Sequence, residues 1–248
     1  MPTPFTHLEI AQRLLCDAQV LDRARALLEA ERSAFLLGNI AADARVDSGL
    51  RREVTHFYAY DRPIEERPWR VMLTQHPALQ QTHDRAQRAF LAGYVAHLSC
   101  DEFWSRHMVR PEFVEREWAS RGERFLSLHL LLITMDARDL VLLESWQPDV
   151  LAEAIPNGWL TFLTDVSLRG WRDYIARQIS PDGGSETLQV LGERIQIPSQ
   201  ELAALVESDD EMQARLWDHI PPERLQRVEA EMYAFAREQM GLYLDDSG

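Results

Sequence analysis

This sequence predicts an all-α fold, and three observations carry the prediction. Apolar residues recur at intervals of three and four along most of the 248 residues. No stretch combines alternating apolar and polar residues with the β-branched enrichment of a strand. The eleven glycines are too few for a turn-rich all-β fold, at about 4% of the chain against a usual ~7%.

The elements follow in order. Leu8, Ala11, Leu14 and Leu15 form the apolar stripe of a first helix, with Thr6 placed to cap it and His7 in its first turn. A second stripe runs through Ala24, Leu27, Leu28, Ala34 and Phe35. Further helices are expected over 84–105, 123–146, 158–178, 186–206 and 221–243. Pro77, Pro111, Pro148, Pro156, Pro181, Pro198 and the Pro221–Pro222 pair punctuate the gaps between them. One linker stands out, Ser180–Ser185 (SPDGGS), dividing a domain over 1–180 from a helical extension over 186–248 that is expected to pack on it. Seven of the eight histidines fall within the first 129 residues, so the chemistry is expected in the N-terminal half.

Composition excludes several classes. With 26 Lys and Arg against 40 Asp and Glu, the formal charge is −14. A surface of that sign repels nucleic acid and anionic membranes, although a pocket of metal ions can invert it locally. Cys16 and Cys100 are too few for a disulfide scaffold or a four-cysteine zinc site. The start, MPTPFTHLEIAQRLL, lacks a basic and then apolar leader, and the most apolar run, Phe125–Ile133, falls far short of the ~20 residues of a membrane span. A soluble cytoplasmic protein is the expectation. Neither GxGxxG, a Walker loop, CxxC nor GxSxG occurs.

The strongest local signal is residues 89–107, AFLAGYVAHLSCDEFWSRH. His97 and Asp101 are four apart on a helical segment, so both project from one face and can chelate one ion. A hydrogen-bonded pair in the core is the competing explanation, because HxxxD is a common accident. Asp43 in FLLGNIAADAR, His56 in VTHFY and His7 in PFTHLEIA also sit in apolar settings. Each alone reads as a capping or core polar residue, but four such sites together suit zinc, with manganese or iron as weaker alternatives.

The order His, Asp, His and then H-x3-D-x5-H resembles the zinc-dependent phospholipase C and S1/P1 nuclease superfamily, in its bacterial phospholipase-C-like branch. Thr6–Ala11, Leu37–Asp43, Thr55–Phe57 and Gly93–His107 carry the likeness, which covers roughly the first 140 residues. It implies a multi-helix bundle and two or three zinc ions. Asp43, His56, His97 and Asp101 would hold one ion, and His7 a second, with Asp101 bridging. The family's N-terminal amine also ligates that second ion, and Pro2 stands five residues before His7. A third ion would use His107 and His129. The carboxylate the family places four residues later is here Ile133, so Asp136 is the substitute.

The resemblance implies hydrolysis of a small phosphate ester, with Asp43 as general base and Phe57, Tyr58 and Trp104 in the substrate pocket. Phospholipid, nucleotide and phosphomonoester substrates all stay open. Two alternatives stand beside it. His83 and Asp84 form a literal HD pair, as in HD-type phosphohydrolases, although Asp84 also reads as the start of a helix. The missing carboxylate and the unmatched C-terminal region suit a helical scaffold or partner-binding protein with a structural or degenerate metal site.

Overall fold

The apolar stripes read from the sequence become the buried faces of a helical bundle. The computed structural model describes residues 1–45, 49–82 and 84–246, and among these there is no strand. The N-terminal helices are α1 (Pro4–Cys16), α2 (Asp22–Ala30) and α3 (Arg32–Ile40), the last running into a tight 3-10 turn over Ala41–Ala44. Two shorter helices follow, α4 (Arg52–His56) and α5 (Pro68–Gln75). Then come α6 (Arg85–Trp104), α7 (Arg121–Leu142), α8 (Gln147–Ala152) and α9 (Asp165–Ile179). The C-terminal part holds α10 (Thr187–Ile195), α11 (Ser199–Glu207), α12 (Asp209–Met212) and α13 (Pro222–Asp246). None of these helices is long and apolar enough to cross a membrane.

Helix α6 is the axis of the fold. Every residue from Ala89 to Glu102 is buried, and apart from His97, Asp101 and Glu102 all are uncharged, as expected of a helix buried on all sides. α3 packs on one side of it in the most extensive helix pair of the structure, and α13 packs on another. The α3–α6 crossing depends on two glycines. A Cβ on Gly38 would lie 2.0 Å from the Phe90 carbonyl oxygen, and one on Gly93 would lie 2.3 Å from that of Phe35. Backbone therefore meets backbone, and any larger residue would separate the helices.

Local chemistry sets the helix ends, and several differ from expectation. Thr6 does not cap α1: Thr3 holds the cap position, and the Thr6 hydroxyl donates to Asp139 on α7 at 2.6 Å. α7 begins at a reciprocal capping box, Ser120 with Glu123, and stops at Leu142. α9 starts only at Asp165, because Gly158 turns the chain at positive φ and Thr164 caps the helix through Ser167. The helix expected over 186–206 is broken, since Gln196 adopts a left-handed conformation and Pro198 then opens α11. Pro111 does not end a helix. It lies inside Ser105–Glu115, where wider π-type turns continue directly from α6.

The Ser180–Ser185 segment connects α9 to α10. Ser185 and Thr187 both donate to the buried Asp136 on α7, and α10 and α11 pack on the same helix.

Candidate metal centre

Four elements bring His7, Asp43, His56, His97 and Asp101 together. His7 projects from the first turn of α1, Asp43 from the 3-10 turn after α3, and His56 is the last residue of α4. His97 and Asp101 sit one turn apart on α6. The glycine crossing delivers the Asn39 carbonyl to His97 Nδ1 at 2.8 Å. α4 is pinned by Tyr94 on α6, whose hydroxyl donates to the Thr55 carbonyl at 2.8 Å. Phe57 closes α4 at φ 61, a strained conformation for an aromatic residue, and its ring packs against Phe162 at 5.2 Å.

Ligand-type atoms converge in two groups, His7 with His97 and Asp101, and Asp43 with His56 and His97, each within 4.8 Å. His56 Nε2 lies 3.4 Å from Asp43 Oδ1 and 3.5 Å from Asp101 Oδ2. His7 Nε2 lies 3.5 Å from Asp101 Oδ1, and the His7 and His97 rings stack at 3.9 Å. All but Asp43 are buried, and the Asp43 side chain is 21% exposed.

This donor set fits zinc. A carbonyl only accepts, so His97 Nδ1 carries its hydrogen and the Nε2 lone pair faces the cluster. The Thr55 hydroxyl donates to the Arg52 carbonyl and so accepts from His56 Nδ1 at 2.9 Å, which turns the His56 Nε2 lone pair inward too. Burial pushes the His97 pKa down to about 3, with His7 adding to the effect. Burial also lowers that of His56, reinforced by Arg52, so both rings are neutral donors. Both His7 ring nitrogens and Asp101 Oδ1 are buried with no hydrogen-bond partner. Buried polar atoms are rarely left so, and of these His7 Nε2 and Asp101 Oδ1 lie 3.5 Å apart.

Arg52 brings a cation into the cluster. It is buried, and one of its nitrogens donates to Asp101 Oδ2 at 2.5 Å and to the Tyr58 hydroxyl at 2.7 Å. Burial opposes charge on Asp101, but Arg52 and His7 outweigh it and hold the carboxyl well below its ordinary range. Burial likewise opposes charge on Asp43, and the neighbouring imidazoles keep that carboxyl low. Sequence reasoning missed Arg52, although its position four residues before His56 places it on the same face of α4.

A cavity of about 360 Å³ opens beside Asp43 and Arg52. Phe5, Arg45 and Tyr60 line it from the N-terminal part, and Trp171, Tyr174 and Arg194 from α9 and α10. The C-terminal wall was not legible in the sequence, where the chemistry was expected in the N-terminal half alone.

Three expected sets take other positions. His107, His129 and Asp136 are not gathered into a third ligand group among the described residues. The π-type turns carry His107 to the surface, stacked on Phe103 at 4.1 Å. His129 donates to the Phe125 carbonyl, and Asp136 accepts from Ser185 and Thr187. Of the expected pocket aromatics, Trp104 lies wholly in the core and Phe57 faces His76 and Phe162. Tyr58 instead holds Arg52. In the HD pair, His83 lies outside the described residues, and Asp84 caps α6 by accepting from the Ala86 amide.

The family model described as zinc-dependent phospholipase C matches residues 6–131, half of the chain and every residue of the cluster. No curated protein and no solved structure matches.

Proposed function

The chain belongs to the zinc-dependent phospholipase C family and is a zinc-dependent phosphoric ester hydrolase with a multi-metal site; from that premise we propose how its residues divide the work on a small phosphate-ester substrate. Asp43, His56 and His97 would hold one zinc ion together with Asp101. His7 would hold the second, also with Asp101. A ring nitrogen has one lone pair and serves one ion, whereas a carboxylate can bridge two. Zinc bound there would supply polarisation of a phosphoryl oxygen and a water acidic enough to attack near neutral pH.

The protein supplies the rest. Asp43 is the ligand that reaches the cavity and stays ionised, so it accepts a proton from the attacking water. Arg45 and Arg52 line the same cavity and make it attractive to an anion despite a net charge of −14. Its volume of about 360 Å³ suits a small ester group rather than a long nucleic acid.

The observation that carries this reading is the pair His7 Nε2 and Asp101 Oδ1, buried 3.5 Å apart and without a hydrogen bond among the described residues. The test is elemental analysis with a turnover assay. Two zinc ions per chain are expected, with hydrolysis of p-nitrophenyl phosphate or its diester lost on chelation and restored by zinc. A zinc-loaded protein that turns over no phosphate ester would overturn the assignment.

A further inference from the structure

The segment beyond residue 131 lies outside the family match, yet it builds one wall of the cavity beside the cluster. Arg194 on α10 is part of that wall, in a cavity that Asp43 and Arg52 also line. Arg194 makes no ion pair or hydrogen bond among the described residues. Its charge nonetheless reaches the Met1 amine, Tyr60 and His129. An exposed guanidinium without a partner, at the rim of a cavity that already contains Arg45 and Arg52, is a ready anion contact.

A cationic headgroup finds the opposite. Such groups are held by carboxylates or by open aromatic faces. Among the described residues, the only carboxylate lining this cavity is Asp43, which belongs to the metal cluster. Two of the lining aromatic rings, Tyr60 and Tyr174, already have one of the protein's own guanidiniums beside them. Arg52 lies 4.6 Å from the Tyr60 ring centre, Arg177 lies 5.5 Å from that of Tyr174, and Trp171 stacks on Tyr174. A further cation at Tyr60 or Tyr174 would stand beside a like charge.

We infer that α10, through Arg194, makes this site selective for phosphate esters carrying two or more negative charges and against esters with a quaternary ammonium headgroup. The inference rests on the hydrolase reading above, since it concerns the substrate of that site. Arg194 is a specificity residue that meets the ester's excess charge, while the metal cluster and Asp43 act at the phosphorus.

The test uses the zinc-loaded full chain with three p-nitrophenyl esters: the phosphate (a dianion), the bis ester (a monoanion) and the phosphorylcholine ester (a zwitterion). Wild-type kcat/KM should fall in that order. Arg194→Gln should lower kcat/KM for the dianion about fivefold, through KM, as expected of a partly exposed ion contact. Arg194→Lys should recover most of it, and Arg194→Glu should move the preference towards the zwitterion. Wild-type preference for the choline ester, or equal effects of the variants on all three esters, would overturn the inference. Calorimetric binding of inorganic phosphate and of phosphocholine separates the two readings. Arg194-dependent preference for phosphate without any turnover sinks the hydrolase reading alone, and binding indifferent to Arg194 sinks this one.

Discussion

Arg52 and Asp101 form a buried ion pair in the middle of the metal cluster, with the guanidinium nitrogen 2.5 Å from Oδ2. The pair compensates a carboxylate that would otherwise stand charged in the core when no ion is bound. Zinc supplies the same compensation, so the two act on one charge.

Arg52→Gln should therefore behave differently with and without metal. In chelator, the variant should lose roughly 3–5 kcal/mol, the cost of stripping a buried charge of its partner. With zinc present, most of that loss should disappear. Thermal unfolding in both conditions decides the matter, and an equal loss in each would show that Arg52 does not compensate Asp101.

The ligand assignment makes distinct stoichiometries for distinct variants. His7→Ala should lose one zinc ion and His56→Ala the other, whereas Asp101→Asn should lose both, since an amide does not bridge two cations. Elemental analysis after dialysis reads the outcome directly. Retention of both ions by Asp101→Asn would rule out the bridge.

Gly93→Ala should disturb the centre from a distance. Its new methyl group would sit 2.3 Å from the Phe35 carbonyl and 2.9 Å from the Asn39 amide, forcing α3 away from α6. The Asn39 carbonyl would then leave His97. Overpacking of this kind costs about 1–3 kcal/mol, and the midpoint of zinc loss to a chelator should move to lower chelator concentration. Gly122→Ala meets nothing within 4 Å in the first turn of α7 and should be neutral or stabilising, by up to about 1 kcal/mol. Similar behaviour of the two variants would argue against the close crossing.

Asp136 introduces a pH dependence of stability. Burial pushes its carboxyl up to about 6 from 3.8, despite the hydroxyls of Thr187 and Ser185. The folded state holds the proton more tightly than the unfolded chain. The resulting stability is fully present below about pH 4 and is lost as the pH rises through about 6. Asp136→Asn removes this loss, so the variant should gain on the wild type by ~3 kcal/mol between pH 4 and 7.5. Urea unfolding at the two pH values measures it, and a constant difference would mean that Asp136 is charged throughout.

The helical content and the clustered imidazoles and carboxylates were legible because both rest on short-range periodicity. The spacing of His97 and Asp101 places them on one face of any α-helix, and the apolar context of Asp43 and His56 marks them as inward-facing. His107 was misplaced for the complementary reason. The six residues from Asp101 to His107 fix no common direction once the helix widens into π-type turns, and nothing local in SRHMVRPEFVE announces that change. Thr6 was misread because a hydroxyl near a helix start suits a cap, while its actual partner, Asp139, is 133 residues away.

What the sequence determined by itself was the helical class and the imidazole and carboxylate donors, because residue type and spacing act within one or two turns. Only the tertiary structure decided which charges share the site. Arg52 enters it through the packing of α4, and Arg194 reaches its cavity from α10, across more than ninety residues of chain from Asp101. Such meetings depend on how helices cross, and the crossing that matters most here is fixed by the absence of a side chain on Gly38 and Gly93.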